Sequence, residues 1–368
     1  MKNKNIIDYW VFIMVLGLLF IGIIMVFSAS SAYSYIHYDD SYFFMKGQIK
    51  SSLVGIVIMI FLLKFDYKKL GNLSPIFLLC SFILLILVRI PGIGQENKNT
   101  WRWIFIGGFQ FQPSEIVKIS IILFFAFSLS KRCKKMDSFS KGLLPYLIII
   151  SCISFLLLLQ PHLSCTLIIL FVSTIMLISA GAKIRHFMML IVPSVCIFSI
   201  IIYKVDYMGK RVLSFLDPFK YADESGYQVI QSLYAIASGG TFGRGFGKSV
   251  QKLLYIPEPH NDFIFSIIAE ELGFLGIVGL IGMFVILIWR GIKISMNAPD
   301  SFGKLTALGI TSLIAVQVIL NIAVVTSSMP PTGVTLPFIS AGGTSIILFL
   351  SSVGILLNIS KQSNYKHI

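Results

Sequence analysis

Apolar stretches of about twenty residues alternate along this chain with short clusters of charge, glycine and proline. A helix rises about 1.5 Å per residue, so each stretch is long enough to cross the roughly 30 Å apolar core of a bilayer. The pattern predicts helices at roughly 10–31, 48–63, 73–90, 113–130, 142–160, 164–182, 187–204, 264–289, 305–327 and 344–360, with ends uncertain by about two to four residues. Within lipid only helices or closed barrels satisfy their backbone polar groups. The expected architecture is therefore an all-α polytopic membrane protein with ten transmembrane helices. One large extracytoplasmic loop, about 205–263, joins the seventh and eighth, and residues 1–368 form a single membrane domain with no internal repeat.

Composition agrees. Hydrophobic residues make up 56% of the chain and charged residues 12%. The formal net charge of +14 would suit a nucleic-acid partner, but its distribution argues against one. Lys2 and Lys4, Lys64 to Lys69, Lys131 to Lys141, Lys183 and Arg185, Arg290 to Lys304, and Lys361 and Lys366 all fall on one side of the predicted membrane. The short loops opposite hold only Lys46, Lys50, Arg89, Lys98 and Arg102. The positive-inside rule then puts both termini in the cytoplasm, and most of the basic charge sets topology. Lys210, Arg211, Lys220, Arg244, Lys248 and Lys252 break the pattern in the long outer loop, where an anionic substrate would account for them. The five cysteines imply neither a disulfide framework nor a metal site. The basic start and first apolar run mimic a signal peptide, but the run is longer than a typical signal core and reads as a retained span.

Polar residues at the predicted boundaries carry the candidate chemistry. Tyr255 to Gly273 reads YIPEPHNDFIFSIIAEELG, and Asp262 stands one residue before its apolar run. An acid at the water–lipid boundary is either solvated or used, because burying its charge in hydrocarbon is costly. Glu115 and Lys118, in QPSEIVK at the start of the fourth span, sit three residues apart on one helix face. They form either a self-neutralising interfacial pair or part of a polar cavity. Arg102 lies between Trp101 and Trp103, which read as interface anchors, and its guanidinium suits a phosphate. Gly239 to Ser249 resembles a phosphate loop, but Phe242 stands where that motif needs glycine, so an ATPase is excluded. A glycine turn flanked by Arg244, Lys248 and Lys252 either holds a diphosphate or is purely structural. Pro330 to Ser345 is too rich in proline and glycine for helix. It is either a tight connection or broken backbone lining a cavity.

Taken together, the segments QPSEIVK, KRVLSFLDPF with GYQVIQSLYAI, GFGKSVQKLLYIPEPHNDFIFSIIAEELG and PPTGVTLPFISAGGTS, in this order, resemble the SEDS (shape, elongation, division and sporulation) family. Phe27 to Ser30 at the end of the first span is also similar, and the likeness runs over essentially the whole chain. The SFLDPF and PPTGVTLPFIS forms are closer to the FtsW and SpoVE branch than to RodA. The resemblance implies a peptidoglycan glycosyltransferase that polymerises lipid II in septal division or sporulation, beside a class B penicillin-binding transpeptidase and divisome proteins. It also implies that Asp262 is the essential acid and that Glu115 and Lys118 are the family's paired charges. His162 departs from the pattern, which commonly has an acid after Gln-Pro. Ala341 and Trp101 depart too, standing where an aromatic residue and an arginine are frequent.

The implied reaction makes a β-1,4 linkage from an α-linked diphosphate donor, so it inverts by in-line displacement of undecaprenyl diphosphate. It needs a base for the acceptor hydroxyl and positive charge for the leaving group. Asp262 is the candidate base, and Arg102, Lys118, Arg211, Arg244 and Lys252 are the candidate cations, with Glu115 beside them. A divalent cation (Mg or Mn) held by Asp262 is the alternative source of charge. Two other readings stay open: a flippase for lipid II, and a scaffold that recruits the transpeptidase.

Overall fold

The computed structural model describes residues 7–97, 100–106, 109–133, 136–189, 206–222 and 226–363. Helices α1 (Tyr9–Tyr38), α2 (Phe43–Lys64) and α3 (Tyr67–Leu87) are followed by strands β1 (Gly94–Asn97), β2 (Thr100–Ile106) and β3 (Phe109–Phe111). Then come α4 (Pro113–Arg132), α5 (Leu144–Leu159, entered through a π turn at Phe139–Leu143) and α6 (Leu163–Ser179). The remaining helices are α7 (Asp206–Leu216), α8 (Tyr227–Gly239), α9 (Ile264–Met296), α10 (Ser301–Val325) and α11 (Gly343–Gln362). Among the described residues, eight helices are long and apolar enough to cross a membrane: α1 to α4, α5 together with its π turn (Phe139–Leu159), and α9 to α11; α6 is apolar but shorter. The seventh expected span, 187–204, falls almost wholly outside the described residues.

α10 runs through the middle of the bundle and packs on α4, α6, α9 and α11, while α2 lies along α11 and α1 along α9. Several helices start on acidic caps gathered at one end of the bundle. Asp8 accepts from the backbone N–H groups of Trp10 and Val11, and Asp300 from that of Gly303. Such caps satisfy N–H groups that have no partner within the helix. The Asp8 carboxylate also takes Arg290 in a buried two-pronged pair, 2.7 Å from Nη2 and 2.9 Å from Nε. Its backbone N–H donates to Ser360. One capping residue thereby joins α1, α9 and α11.

The opposite end departs from the all-α expectation. Strands β1, β2 and β3 form a three-stranded antiparallel sheet, with Trp103 opposite Gln95 and Ile104 opposite Phe111. The alternation in Thr100-Trp-Arg-Trp-Ile is a strand pattern with period two; reading its tryptophans only as interface anchors hid it. The stretch 205–263 is also more regular than a loop, since it contains α7 and α8. Helix α1 overruns its expected end at 31 and stops at Tyr38, where Asp39 takes a left-handed conformation. Past the apolar run it is held by aromatic packing, with Tyr33 stacked on His37 and Tyr38 on Phe43.

The glycine-rich turn is a structural joint. α9 is broken at Gly273, whose φ is +66°. The turn after α8 bonds to the backbone on both sides of that break: Arg244 N–H donates to Glu270 O at 2.9 Å, and Phe274 N–H to Gly240 O at 2.9 Å. A Cβ on Gly273 would lie 2.2 Å from Gly243 N, and one on Gly243 2.2 Å from Glu271 O. The side chains after the turn complete the joint. Glu270 accepts from Ser249 Oγ and Val250 N, and Glu271 from Ser28 Oγ and Lys252 Nζ. The Gly273→Ala variant is expected to lose at least about 1 kcal/mol of stability, from left-handed strain plus the backbone clash. A lower melting temperature in detergent checks this, and an unchanged one contradicts it.

Candidate active site

Five separate stretches of sequence meet around one cavity of about 310 Å³. β2 contributes Arg102 and Trp103, the start of α4 Gln112, Glu115 and Lys118, and the α5–α6 junction His162, Ser164 and Cys165. Glu258, Asn261 and Asp262 come from the segment before α9. The connection between α10 and α11 supplies Gly333 to Thr335, Ala341 and Gly342, the start of α11 Thr344 and Ser345, and Gln317 reaches in from α10.

That last connection lacks helix or sheet over most of its length, so its backbone groups need partners from elsewhere. Side chains provide them. Asn321 Nδ2 donates to Val334 O at 2.6 Å and to Asp262 O at 2.8 Å. Gln317 Nε2 donates to Thr335 O at 3.1 Å, Gln48 Nε2 to Ser340 O at 3.3 Å, and Ser164 Oγ to Thr332 O. Ala341 N–H donates to His260 O at 2.9 Å. Asn321 thus pins the connection and the Asp262 backbone to the same point on α10. The Asp262 carboxylate lies over Gly333, where a Cβ would sit 3.7 Å from Oδ2.

Glu115 and Lys118 are both buried and lie 2.7 Å apart. Lys118 Nζ also donates to Gln317 Oε1 at 3.1 Å and lies over the Phe349 ring. The pair is therefore self-neutralising and cavity-lining at once, which joins the two readings of the sequence. Arg102 Nε donates to Gln160 O at 3.1 Å, and its Nη2 donates to Pro161 O, so the guanidinium braces the α5–α6 junction beside the cavity. Gln112 Nε2 lies 3.0 Å from His162 Nε2, placing the unexpected histidine in the cavity wall.

The other expected site residues lie elsewhere. Arg211 Nη1 donates to Pro331 O at 2.6 Å, which puts it against the α10–α11 connection without lining the cavity. Lys252 is buried against Glu271 at 2.8 Å and Ser28, and Arg244 is 3.5 Å from Glu270. Both belong to the joint at the α9 break. Among the described residues, no group of three or more His, Cys, Asp or Glu side chains is arranged to hold a metal ion.

Sequence reasoning passed over Gln317 and Asn321, although two amides four residues apart in an apolar helix mark one polar face. It also passed over His260. This side chain is buried, with its ring centroid 4.0 Å from that of Phe44 and 5.5 Å from that of Tyr33. It clamps the α1–α2 hairpin onto the segment two residues before Asp262. Glu258, in the same segment, has φ of +50° and accepts from Asn261 Nδ2 at 2.8 Å.

Fold and cavity define a polytopic helical membrane protein with a charged cavity beside one end of its bundle. The chain belongs to the FtsW/RodA/SpoVE family of cell cycle proteins, the SEDS family, whose model matches residues 9–365. It is 42% identical to stage V sporulation protein E of Bacillus subtilis, over 99% of this chain and 99% of that one. It is 39% identical to a probable peptidoglycan glycosyltransferase FtsW of a Geobacter species, over 98% and 99%. Among solved structures it resembles a chain of a peptidoglycan synthase complex that coordinates polymerization and crosslinking, with a TM-score of 0.82, 27% identity and coverage of 96% and 97%. It also resembles Thermus thermophilus RodA, with a TM-score of 0.70, 25% identity and coverage of 98% of each chain. These relatives support the FtsW/SpoVE branch.

Two outcomes follow from the site's electrostatics. Lys118→Met would leave Glu115 as an uncompensated buried charge, and is expected to cost about 3–5 kcal/mol. The double variant Glu115→Gln/Lys118→Met should recover part of that loss; thermal melts of both variants decide, and a double variant less stable than the single contradicts the pairing. Burial pushes the His260 imidazole down to about 4 from an ordinary value of 6.5. The unfolded chain therefore binds this proton first, and the stabilising contribution present above pH 6.5 is lost as pH falls towards 4. Melting curves across that window should be flatter for His260→Phe, by up to about 3 kcal/mol; an identical slope would show that His260 titrates as it does in water.

Proposed function

We propose that the protein is a peptidoglycan glycosyltransferase that polymerises lipid II by inverting displacement of undecaprenyl diphosphate. The observation that carries this reading is one cavity lined by Asp262, Arg102 and the Glu115–Lys118 pair. Its volume is at the lower end of the range for small-molecule sites, which suits the reacting sugar and diphosphate while lipid and peptide extend outside. In this reading the Asp262 carboxylate takes the proton of the acceptor's hydroxyl. The acceptor oxygen bonds to the anomeric carbon of the donor as the bond from that carbon to the diphosphate oxygen breaks, converting α into β. Arg102 and Lys118 stabilise charge on the departing diphosphate. Arg102 does so from the backbone carbonyls that hold it, and Lys118 from Glu115 and Gln317, so both cations are positioned before substrate arrives.

The same reading places both termini in the cytoplasm and counts 187–204 as the seventh of ten spans, with the segment containing α7 and α8 on the outer face. It puts the protein in the bacterial cell membrane, in septal division or sporulation. Its partner is a class B penicillin-binding transpeptidase that crosslinks the strands it makes. The relative solved as a synthase complex supports this pairing.

The test is polymerisation of labelled lipid II by purified protein together with its transpeptidase. Wild type should make glycan strands insensitive to penicillin, and Asp262→Asn should make none while keeping its melting temperature. Strands from the variant would remove Asp262 from this role. Lipid II crossing sealed vesicles with no polymer from wild type would favour a flippase.

A further inference from the structure

The joint at the α9 break leaves part of the glycine-rich turn uncovered. Phe242 is 80% exposed and Phe246 51%, in a segment held rigid on its inner side. Four backbone hydrogen bonds fix the height of the turn on α9. Arg244 and Gly245 N–H donate to Glu270 and Glu271 O, and Phe274 and Leu275 N–H donate to Gly240 and Thr241 O. Phe274 and Leu275 are themselves exposed, and begin a stripe that runs down α9 through Val278 and Val285 to Trp289. At the far end Lys293 lies over the Trp289 ring, the arrangement of a membrane–water boundary.

From Trp289 back to Phe274 the helix rises about 23 Å. The apolar core of a bilayer is about 30 Å thick. Acyl chains that meet Trp289 at one boundary therefore reach beyond Phe274 at the other, to the level of the turn. Phe242 follows Thr241, whose carbonyl binds Leu275, so it continues the exposed stripe of α9 sideways. Between the two phenylalanines stands Arg244, partly exposed beside Glu270, and Lys248 follows, also exposed. Apolar rings and cations alternating at this height match the boundary between acyl chains and phosphates.

We propose that the 240–248 turn is a membrane anchor. Phe242 and Phe246 insert among phospholipid acyl chains, and Arg244 and Lys248 lie against headgroup phosphates. The occupant is the bilayer, and the anchor fixes the α9 break, from which the Asp262 segment hangs, at a set depth. This goes beyond the proposed reaction and does not depend on it. It also gives the cations of the turn a different anion from the substrate diphosphate.

The experiment places the photoreactive phenylalanine analogue p-benzoylphenylalanine at Phe242, separately at Phe246, and at the stripe residue Val285 as reference. The full chain is reconstituted in vesicles of phosphatidylglycerol and phosphatidylcholine, irradiated and weighed by mass spectrometry. The expected result is a mass gain of one phospholipid at 242 and at 246, in a fraction comparable with that at 285. No phospholipid adduct at either position while 285 forms one would overturn the anchor. So would an adduct to another protein in place of lipid when native membranes are irradiated. Two independent positions guard against failure of one variant to fold.

Discussion

The structure depends on satisfying a stretch of backbone that belongs to neither helix nor sheet. Between α10 and α11 the chain runs through the end of the bundle with its carbonyls turned to side chains. Away from water, each such group costs free energy if left alone. Asn321 and Gln317 on α10, Gln48 on α2 and Ser164 on α6 meet that need, and in doing so lock three helices to one segment. The Asp262 backbone shares Asn321 with this segment, so the candidate acid is held by the same bonds that make the broken backbone tolerable.

Charge in the site is arranged on a similar economy. Lys118 does not stand alone in the bundle: Glu115 lies within contact and Gln317 accepts a further hydrogen bond from its ammonium. Arg102 directs N–H groups at carbonyls of the α5–α6 junction. A buried cation with such partners needs little rearrangement when an anion arrives, which is the condition for stabilising charge that develops during a reaction. The second acidic cluster, Glu270 and Glu271, does different work. It ties the turn after α8 and the start of α1 to the break in α9, and it occupies two cations that composition alone would assign to substrate.

Much of this was legible in the sequence. Eight of the ten expected spans match helices long and apolar enough to cross a membrane, and four of the segments that meet at the cavity stood out because polar or helix-breaking residues sat where lipid would exclude them. What composition left ambiguous was how charges pair. Lys252 and Glu271 are nineteen residues apart in the chain, and only the broken helix brings them together. The sheet of β1 to β3 was hidden by its tryptophans, which fit a membrane boundary as well as a strand. Gln317 and Asn321 were overlooked because an isolated amide in an apolar helix gives no hint of the distant carbonyl it serves. His260 was overlooked because its partners are the rings of Tyr33 and Phe44, on helices more than two hundred residues away.

The central claim is that substrate sits in this cavity with its reacting hydroxyl at Asp262. The most direct measurement is the structure of the Asp262→Asn protein, with its transpeptidase, trapped with lipid II. The account predicts that the acceptor sugar lies in the cavity with a hydroxyl within hydrogen-bond reach of the residue 262 side chain, about 2.6–3.2 Å. The donor diphosphate should lie against Arg102 and Lys118. Lipid II bound on another face, with the cavity unoccupied and its sugars away from residue 262, would contradict it.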